Sequence, residues 1–231
     1  MCGRTTMTME AGDLAEQLGL PLDALPPDYQ PRYNIAPTQE YFVLREHHEQ
    51  LELLVSKWGL VNSWETDAKN AAKHINARAE SLATNRTFRE AFRKRRCIVP
   101  VDGFYEWAGD RKGRQPFWFH RPGGELLRLA GLYEWWRPQP GQWQSTFTIV
   151  TTDSNALIGR IHDRMPAILS EEAAGEWIFE GEKNPRRLLD LLVPAPEDLL
   201  VPRAVLPRVN SANEEDPGLL EEAPGVQLSL V

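Results

Sequence analysis

The sequence predicts an α+β chain, a single domain of curved, mainly antiparallel, barrel-like β-sheet flanked by short helices. Three observations carry this. Five closely spaced runs between residues 97 and 151 are rich in aromatic and β-branched side chains. The segments between them collect Gly109, Gly113, Gly123, Gly124 and Gly141, which is how short strands joined by tight turns read. Helical signatures are few and short, and neither an internal repeat nor a linker divides the 231 residues, a length that fits one large domain.

In chain order, Leu14 and Leu18 mark a short amphipathic helix. Pro21, Pro26, Pro27, Pro31 and Pro37 make residues 21–39 extended and loop-like. Tyr41–Arg45 and Leu51–Trp58 read as strands, with His47, His48 and Glu49 in the turn. Thr87 followed by Glu90 is a capping-box pattern that predicts a helix over Thr87–Arg95. The five strands are Cys97–Val101, Gly103–Trp107, Pro116–His120, Leu126–Tyr133 and Thr146–Thr151. Ser154 caps a helix through Arg160, Ser170 another through Phe179, and Asn184-Pro185 opens a third through Leu192. Val201–Val209 is a late strand, and an acidic tail of about 211–231 is expected to pack only in part.

Composition sets further bounds. With 42% hydrophobic and 26% charged residues the chain suits a soluble globular protein. No apolar run reaches the ~18–20 residues of a membrane span, and no apolar h-region opens the sequence, so neither a membrane nor a secretory signal is expected. Two cysteines, Cys2 and Cys97, exclude a disulfide framework and point to a reducing, cytoplasmic setting, nuclear in a eukaryote. They also lack any ligand spacing typical of zinc, so no metal and no cofactor is expected. The net charge of −7 hides an uneven distribution. Arg86, Arg89, Arg93, Lys94, Arg95 and Arg96 face one acid, Glu90, within eleven residues, a local patch that suits phosphate or a solvated helix face.

Four segments combine reactive side chains with turn chemistry. Met1-Cys2-Gly3-Arg4 places a cysteine where excision of the initiator methionine leaves a thiol and a free α-amine on one carbon. Their reference pKa values are about 8.5 and about 7.7 to 8.0, so both have nucleophilic forms near neutrality. Such a pair closes on an aldehyde through an imine to a five-membered thiazolidine. The alternative is a buried, inert thiol. Asn76-Ala77-Arg78 in extended form projects an amide and a guanidinium to one face, or else makes an ordinary surface pair with Glu80. Glu106, among the aromatics of Asp102-Gly103-Phe104-Tyr105-Glu106-Trp107, is either a carboxyl raised towards acid–base duty or a solvated strand edge. His162, in Ile161-His162-Asp163-Arg164-Met165-Pro166, is either a proton shuttle or a structural histidine held by Asp163.

Together with Tyr33-Asn34-Ile35-Ala36-Pro37 and Trp58-Gly59-Leu60, these motifs, in this order from Cys2 to Arg164, resemble the SRAP (SOS response-associated peptidase) family, whose members cross-link to abasic sites in DNA. The resemblance implies that Cys2 forms the thiazolidine with the ring-opened sugar and that Asn76 positions the Cys2 terminus. It implies that Glu106 holds or deprotonates the α-amine and that His162 exchanges a proton with the sugar oxygen. Arg4, Asn34, Arg78, Arg86, Thr151 and Arg164 fall at positions expected to contact the DNA backbone or support the site, and Pro37 and Trp64 at positions that pack on the unstacked strand. The implied partner is single-stranded DNA with abasic sites, including those at single-strand/double-strand junctions, bound by a monomer. Weak lyase activity and self-removal of Met1 are further implications. Asn62 stands where related sequences often carry proline in the Trp-Gly-Leu-x-Pro-Ser-Trp loop.

Two other readings fit parts of the sequence. In an N-terminal-nucleophile amidohydrolase, Cys2 attacks an amide, its own amine is the base, and Asn76 supplies an oxyanion donor. In a non-catalytic single-stranded DNA-binding module, the Arg86–Arg96 run binds intact and abasic strands alike.

Overall fold

The computed structural model describes residues 2–109, 113–179, 184–226 and 228. In the first half of the chain lie β1 (Thr5–Met7), α1 (Ala11–Leu18), β2 (Arg32–Ile35), β3 (Glu40–His47), β4 (Gln50–Trp58), β5 (Asn76–Arg78), α2 (Arg89–Lys94) and β6 (Arg96–Val101). Then come β7 (Gly103–Ala108), β8 (Gln115–His120), β9 (Leu127–Gln139), β10 (Gln142–Asp153), α3 (Ala156–Gly159), β11 (Arg164–Pro166), β12 (Ile168–Leu169), α4 (Glu171–Ile178), α5 (Pro185–Asp190) and β13 (Val201–Ala204).

The strands make two sheets. β4, β3, β6, β9 and β10 pair in that order, and β10 closes the ring by pairing parallel with β4. This is the expected barrel-like, mainly antiparallel architecture; closure removes the open edges of those strands. The second sheet runs β13-β8-β7-β1-β2. The core between them takes the inward aromatic and branched residues of the motifs, with Trp58, Phe104, Phe119, Phe147 and Trp177 almost fully buried. No helix among the described residues is long and apolar enough to cross a membrane.

Two motif glycines have steric reasons. A Cβ on Gly59, whose φ is +125°, would stand 2.7 Å from the carbonyl oxygen of Ala71, so only glycine starts the loop that carries Trp64. A Cβ on Gly103 would meet Trp118 Nε1 at 2.1 Å. Its absence lets that indole donate to Thr6 Oγ1 at 3.0 Å and so bind β8 to β1.

Several expected elements change. The proline-rich stretch contains β2, and residues 5–7 form a strand that periodicity does not show, because both are short and held by pairing with each other. β9 runs on past Tyr133 to Gln139 and β10 starts at Gln142, ahead of Thr146, since a hairpin ladder extends beyond the apolar run. The Thr87 capping box does not form: α2 starts at Arg89, with Asn85 Oδ1 accepting from Thr87 N–H. Asn155, one residue after Ser154, caps α3. Ser170 and Asn184 cap as expected. The late strand stops at Ala204 and gives way to a 3-10 turn over Pro207–Asn210.

The basic run is also not one exposed face. Arg96 is buried, and its guanidinium donates to the carbonyls of Phe92, Arg93, Trp177 and Phe179. Arg95 pairs with the buried Glu134 at 2.7 Å. Arg86, Arg89, Arg93 and Lys94 remain exposed.

Candidate active site around Cys2

The N-terminus reaches the site by strand pairing. β1 runs antiparallel to β7, with Thr5 opposite Phe104 and Thr6 opposite Gly103. Continuing that register backwards sets Cys2 and Gly3 beside Glu106 and Trp107, and Tyr105 N–H donates to the Arg4 carbonyl at 2.9 Å on the same path. Asp102 clamps the strand: it accepts from Thr6 Oγ1 and Thr8 Oγ1, both at 2.6 Å, and from Thr8 N–H. Sequence reasoning quoted Asp102 within a motif but gave it no role; its position before the obligatory Gly103 is the signal.

Cys2 is fully buried, and its carbonyl accepts from Asn76 Nδ2 at 2.8 Å. Asn76 lies on β5, which pairs parallel with β10, Asn76 opposite Ile149 and Arg78 opposite Thr151. The intervening Ala77 is buried while Arg78 is exposed, so Asn76 and Arg78 share the outer face, as extended backbone requires. Asn76 Oδ1 is buried and has no hydrogen-bond partner among the described residues. An amide that spends its N–H on the terminus thus keeps an acceptor for something else.

Glu106 is 3% exposed on β7. Burial raises its carboxyl above the ordinary value, against cationic neighbours that include His162 and Arg114. Burial also pushes the Cys2 thiol well up, with the Glu106 charge adding to it and the Arg4 backbone N–H opposing. A proton therefore stays on either group more readily than in water. His162 is half-buried just before β11. Its Nδ1 accepts from Arg164 N–H at 3.0 Å and lies 2.9 Å from Asp163 Oδ1. The Arg164 N–H and the Asp163 carboxylate both meet Nδ1, so Nε2 is the ring nitrogen that they leave for another partner.

The residues assigned to DNA contact divide into two groups. Asn34 is fully buried; its Oδ1 accepts from Arg4 at 2.6 Å and its Nδ2 donates to the carbonyls of Ser211 and Glu214. Arg164 is buried between Glu80 and Asp153, at 2.8 and 2.6 Å, and also donates to the Thr151 carbonyl. Thr151 is buried, with its hydroxyl unpartnered among the described residues. These three lie inside the fold. Arg4 and Pro37 are half-buried, while Arg78, Arg86 and Trp64 are exposed.

A cleft of about 700 Å³ opens beside the terminus, lined by Gly3, Arg4, Trp107, Arg114, Gln115 and Asn210 among others. Trp107 Nε1 donates to Asn210 Oδ1 at 2.6 Å. Sequence reasoning missed Arg114 and Asn210 in this wall. The basic run Arg111-Lys112-Gly113-Arg114 was the available signal for the first, and nothing local marks the second. Asn62 is buried, and its N–H and Nδ2 both donate to Glu65 Oε1 at 3.1 and 3.0 Å. Hydrogen bonds thus close the Trp64 loop.

Comparison with known proteins shows the family. Residues 1–212 match the family model described as SOS response associated peptidase (SRAP). The chain is 38% identical over 222 residues to the abasic site processing protein YoqW of Bacillus subtilis (strain 168), covering 96% of this chain and 99% of that one. It is 32% identical over 236 residues to the abasic site processing protein HMCES of Xenopus tropicalis, covering 84% of this chain and 70% of that one. A crystal structure of a protein from Bacteroides thetaiotaomicron superposes with a TM-score of 0.83 at 25% identity, covering 96% of this chain and 100% of that one. By its family model, its relatives and its fold, this chain belongs to the SOS response associated peptidase family.

Proposed function

We propose that the protein binds single-stranded DNA at abasic sites and, once Met1 is removed, joins Cys2 covalently to the lesion. The observation that carries this is the tether between Asn76 Nδ2 and the Cys2 carbonyl, which sets the N-terminal residue among a raised carboxyl, a histidine and an unused amide oxygen. Met1 itself lies outside the described residues.

The chemistry runs in two steps. The α-amine adds to the C1′ aldehyde of the ring-opened sugar and water leaves, giving the imine. The Cys2 sulfur then adds to the imine carbon, its proton passing to nitrogen, and the thiazolidine ring closes with one water lost in all. Glu106 takes the ammonium proton that must leave before attack, a task its raised pKa suits. His162 exchanges a proton with the sugar oxygen through Nε2 as the ring opens, and Asn76 Oδ1 accepts from a sugar hydroxyl. An abasic site offers no base to read, so phosphate contacts by Arg4, Arg78, Arg86 and Arg114 and stacking on Trp64 suffice for recognition. An imine that fails to close by sulfur is open to β-elimination, the origin we assign to weak lyase activity. Excision of Met1 by the same groups, binding at strand junctions and action as a cytoplasmic monomer complete the proposal.

The test is the intact mass of the protein before and after exposure to an abasic oligonucleotide. Loss of Met1 and one DNA adduct less one water are expected, and Cys2→Ala should give none. An undiminished adduct on Cys2→Ala would move the chemistry to another nucleophile.

A further inference from the structure

Strand β10 carries a second exposed tryptophan, and its surroundings are built rather than incidental. Trp143 is 61% exposed at the tip of the β9–β10 hairpin. Gln142 pairs with Gln139 and Gln144 with Trp136, so Arg137 and Pro138 together oppose the single residue Trp143. That two-against-one register is a bulge, a device that re-aims side chains. Pro138, which has no N–H to give a ladder, sits where a bulge leaves none needed. The result puts the Arg137 guanidinium over the Trp143 ring, 5.6 Å from its centroid. An indole backed by a guanidinium in solvent offers a nucleobase a flat partner and its phosphate a cation.

The hairpin tip is in line with the site. Along β10, Ile149 marks the level of Asn76, Thr146 that of the Trp64 loop through Val61 N–H to Thr146 Oγ1, and Trp143 the tip. At ~3.3 Å per residue these levels stand ~10 and ~20 Å from the Asn76 position. Trp136, next to Arg137, fixes the middle level to the tip by donating from Nε1 to the Glu65 carbonyl at 2.8 Å. Trp64, 49% exposed, is held in that same loop.

We infer that Arg137 and Trp143 form a stacking station for the strand that flanks the lesion, beyond Trp64 on one track along β10. The inference rests on the abasic-DNA reading above. A separation of ~20 Å corresponds to about six stacked nucleotides at ~3.4 Å each, so only DNA with a long arm on that side reaches the tip.

The test uses labelled single strands carrying a stable abasic analogue without an aldehyde, with arms of about two or about ten nucleotides, read by anisotropy at one fixed salt concentration. Trp143→Ala should weaken the long-arm complex about tenfold, as ~1.4 kcal/mol of lost stacking implies, with the short-arm complex as internal standard. Trp143→Phe should restore most of the affinity, and Arg137→Gln should lower both affinity and its salt dependence. Equal affinities of the unaltered chain and Trp143→Ala for the long-arm strand would overturn the inference. So would equal losses on short and long arms, which would mean that Trp143 acts through the fold. Cross-linking to a true abasic strand is scored in parallel. If it persists while the long-arm effect is absent, only the station falls; if it never forms, the underlying reading falls with it.

Discussion

Replacing Asn76 by alanine separates positioning from stability. The change deletes the 2.8 Å bond to the Cys2 carbonyl and leaves that acceptor without its donor. The bond is only partly buried, so the loss lies near the low end for an orphaned acceptor, about 1 kcal/mol. For a chain of this size that lowers Tm by roughly 2–4 °C. The effect on rate should be far larger. Cys2 must present sulfur and nitrogen to one carbon in turn, and a displacement of ~1 Å in such a geometry costs about a hundredfold. The assay is single-turnover adduct formation on denaturing gels, after mass spectrometry verifies Met1 removal. Binding to the aldehyde-free analogue serves as the affinity control. A rate within about threefold of the unaltered protein, alongside the expected small fall in Tm, would refute the positioning argument, because the tether would then be stabilising and nothing more.

Four other substitutions probe the remaining groups. Burial raises Glu106, so the folded state holds that proton more tightly than the unfolded chain does. The associated stability is complete below the ordinary value of 4.5 and is lost as pH rises through the raised one. Glu106→Gln should therefore melt above the parent at neutral pH, converge with it in acid, and lose about 10²–10⁴ in adduct rate. A melting difference independent of pH would contradict this. His162→Ala should slow adduct formation or reversal at least tenfold while analogue binding changes less than about threefold; equal losses would mark a structural histidine. Arg96→Met orphans four carbonyls and should cost about 3 kcal/mol or more, whereas Arg86→Ala should leave Tm unchanged and reduce the salt slope of DNA binding. Similar thermal melts for the two variants would undo that division of the basic run.

The barrel, its aromatic strands and the site segments were legible because each is local. Period-two runs, turn glycines and caps at Ser170 and Asn184 are written within a few residues of what they specify. β1 and β2 were not, since Thr5–Met7 and Arg32–Ile35 are strands only by virtue of partners far away in sequence. The same holds for charge. Arg96 and Arg86 read alike in sequence, yet the first opens β6 with its guanidinium on the carbonyls of Phe92, Arg93, Trp177 and Phe179, while the second, ahead of α2, stays in water. Asn34 and Arg164 likewise fall in motifs expected to contact DNA or support the site, while Asn34 bonds Arg4 and the Ser211 and Glu214 carbonyls and Arg164 pairs with Glu80 and Asp153. Composition shows how many charges a segment has; only tertiary pairing shows which of them remain for a ligand.

Strand β10 explains how residues so scattered in sequence come together. It pairs with β5, bringing Asn76, and with β11, whose first residue follows His162 by two. It meets β4 at Thr146 and Phe147, where the Trp64 loop begins, and ends in the hairpin that carries Trp143. Glu106 arrives on the other sheet, with the N-terminus running alongside it. Cys2 and Glu106 are therefore attached to the sheet of β7, while the Asn76 tether, His162 and the Trp64 and Trp143 surfaces are attached to that of β10. Relative displacement of the two sheets would part the reacting groups without disturbing either set. The Asn76–Cys2 bond spans that division directly, which is why its loss should cost rate out of proportion to stability.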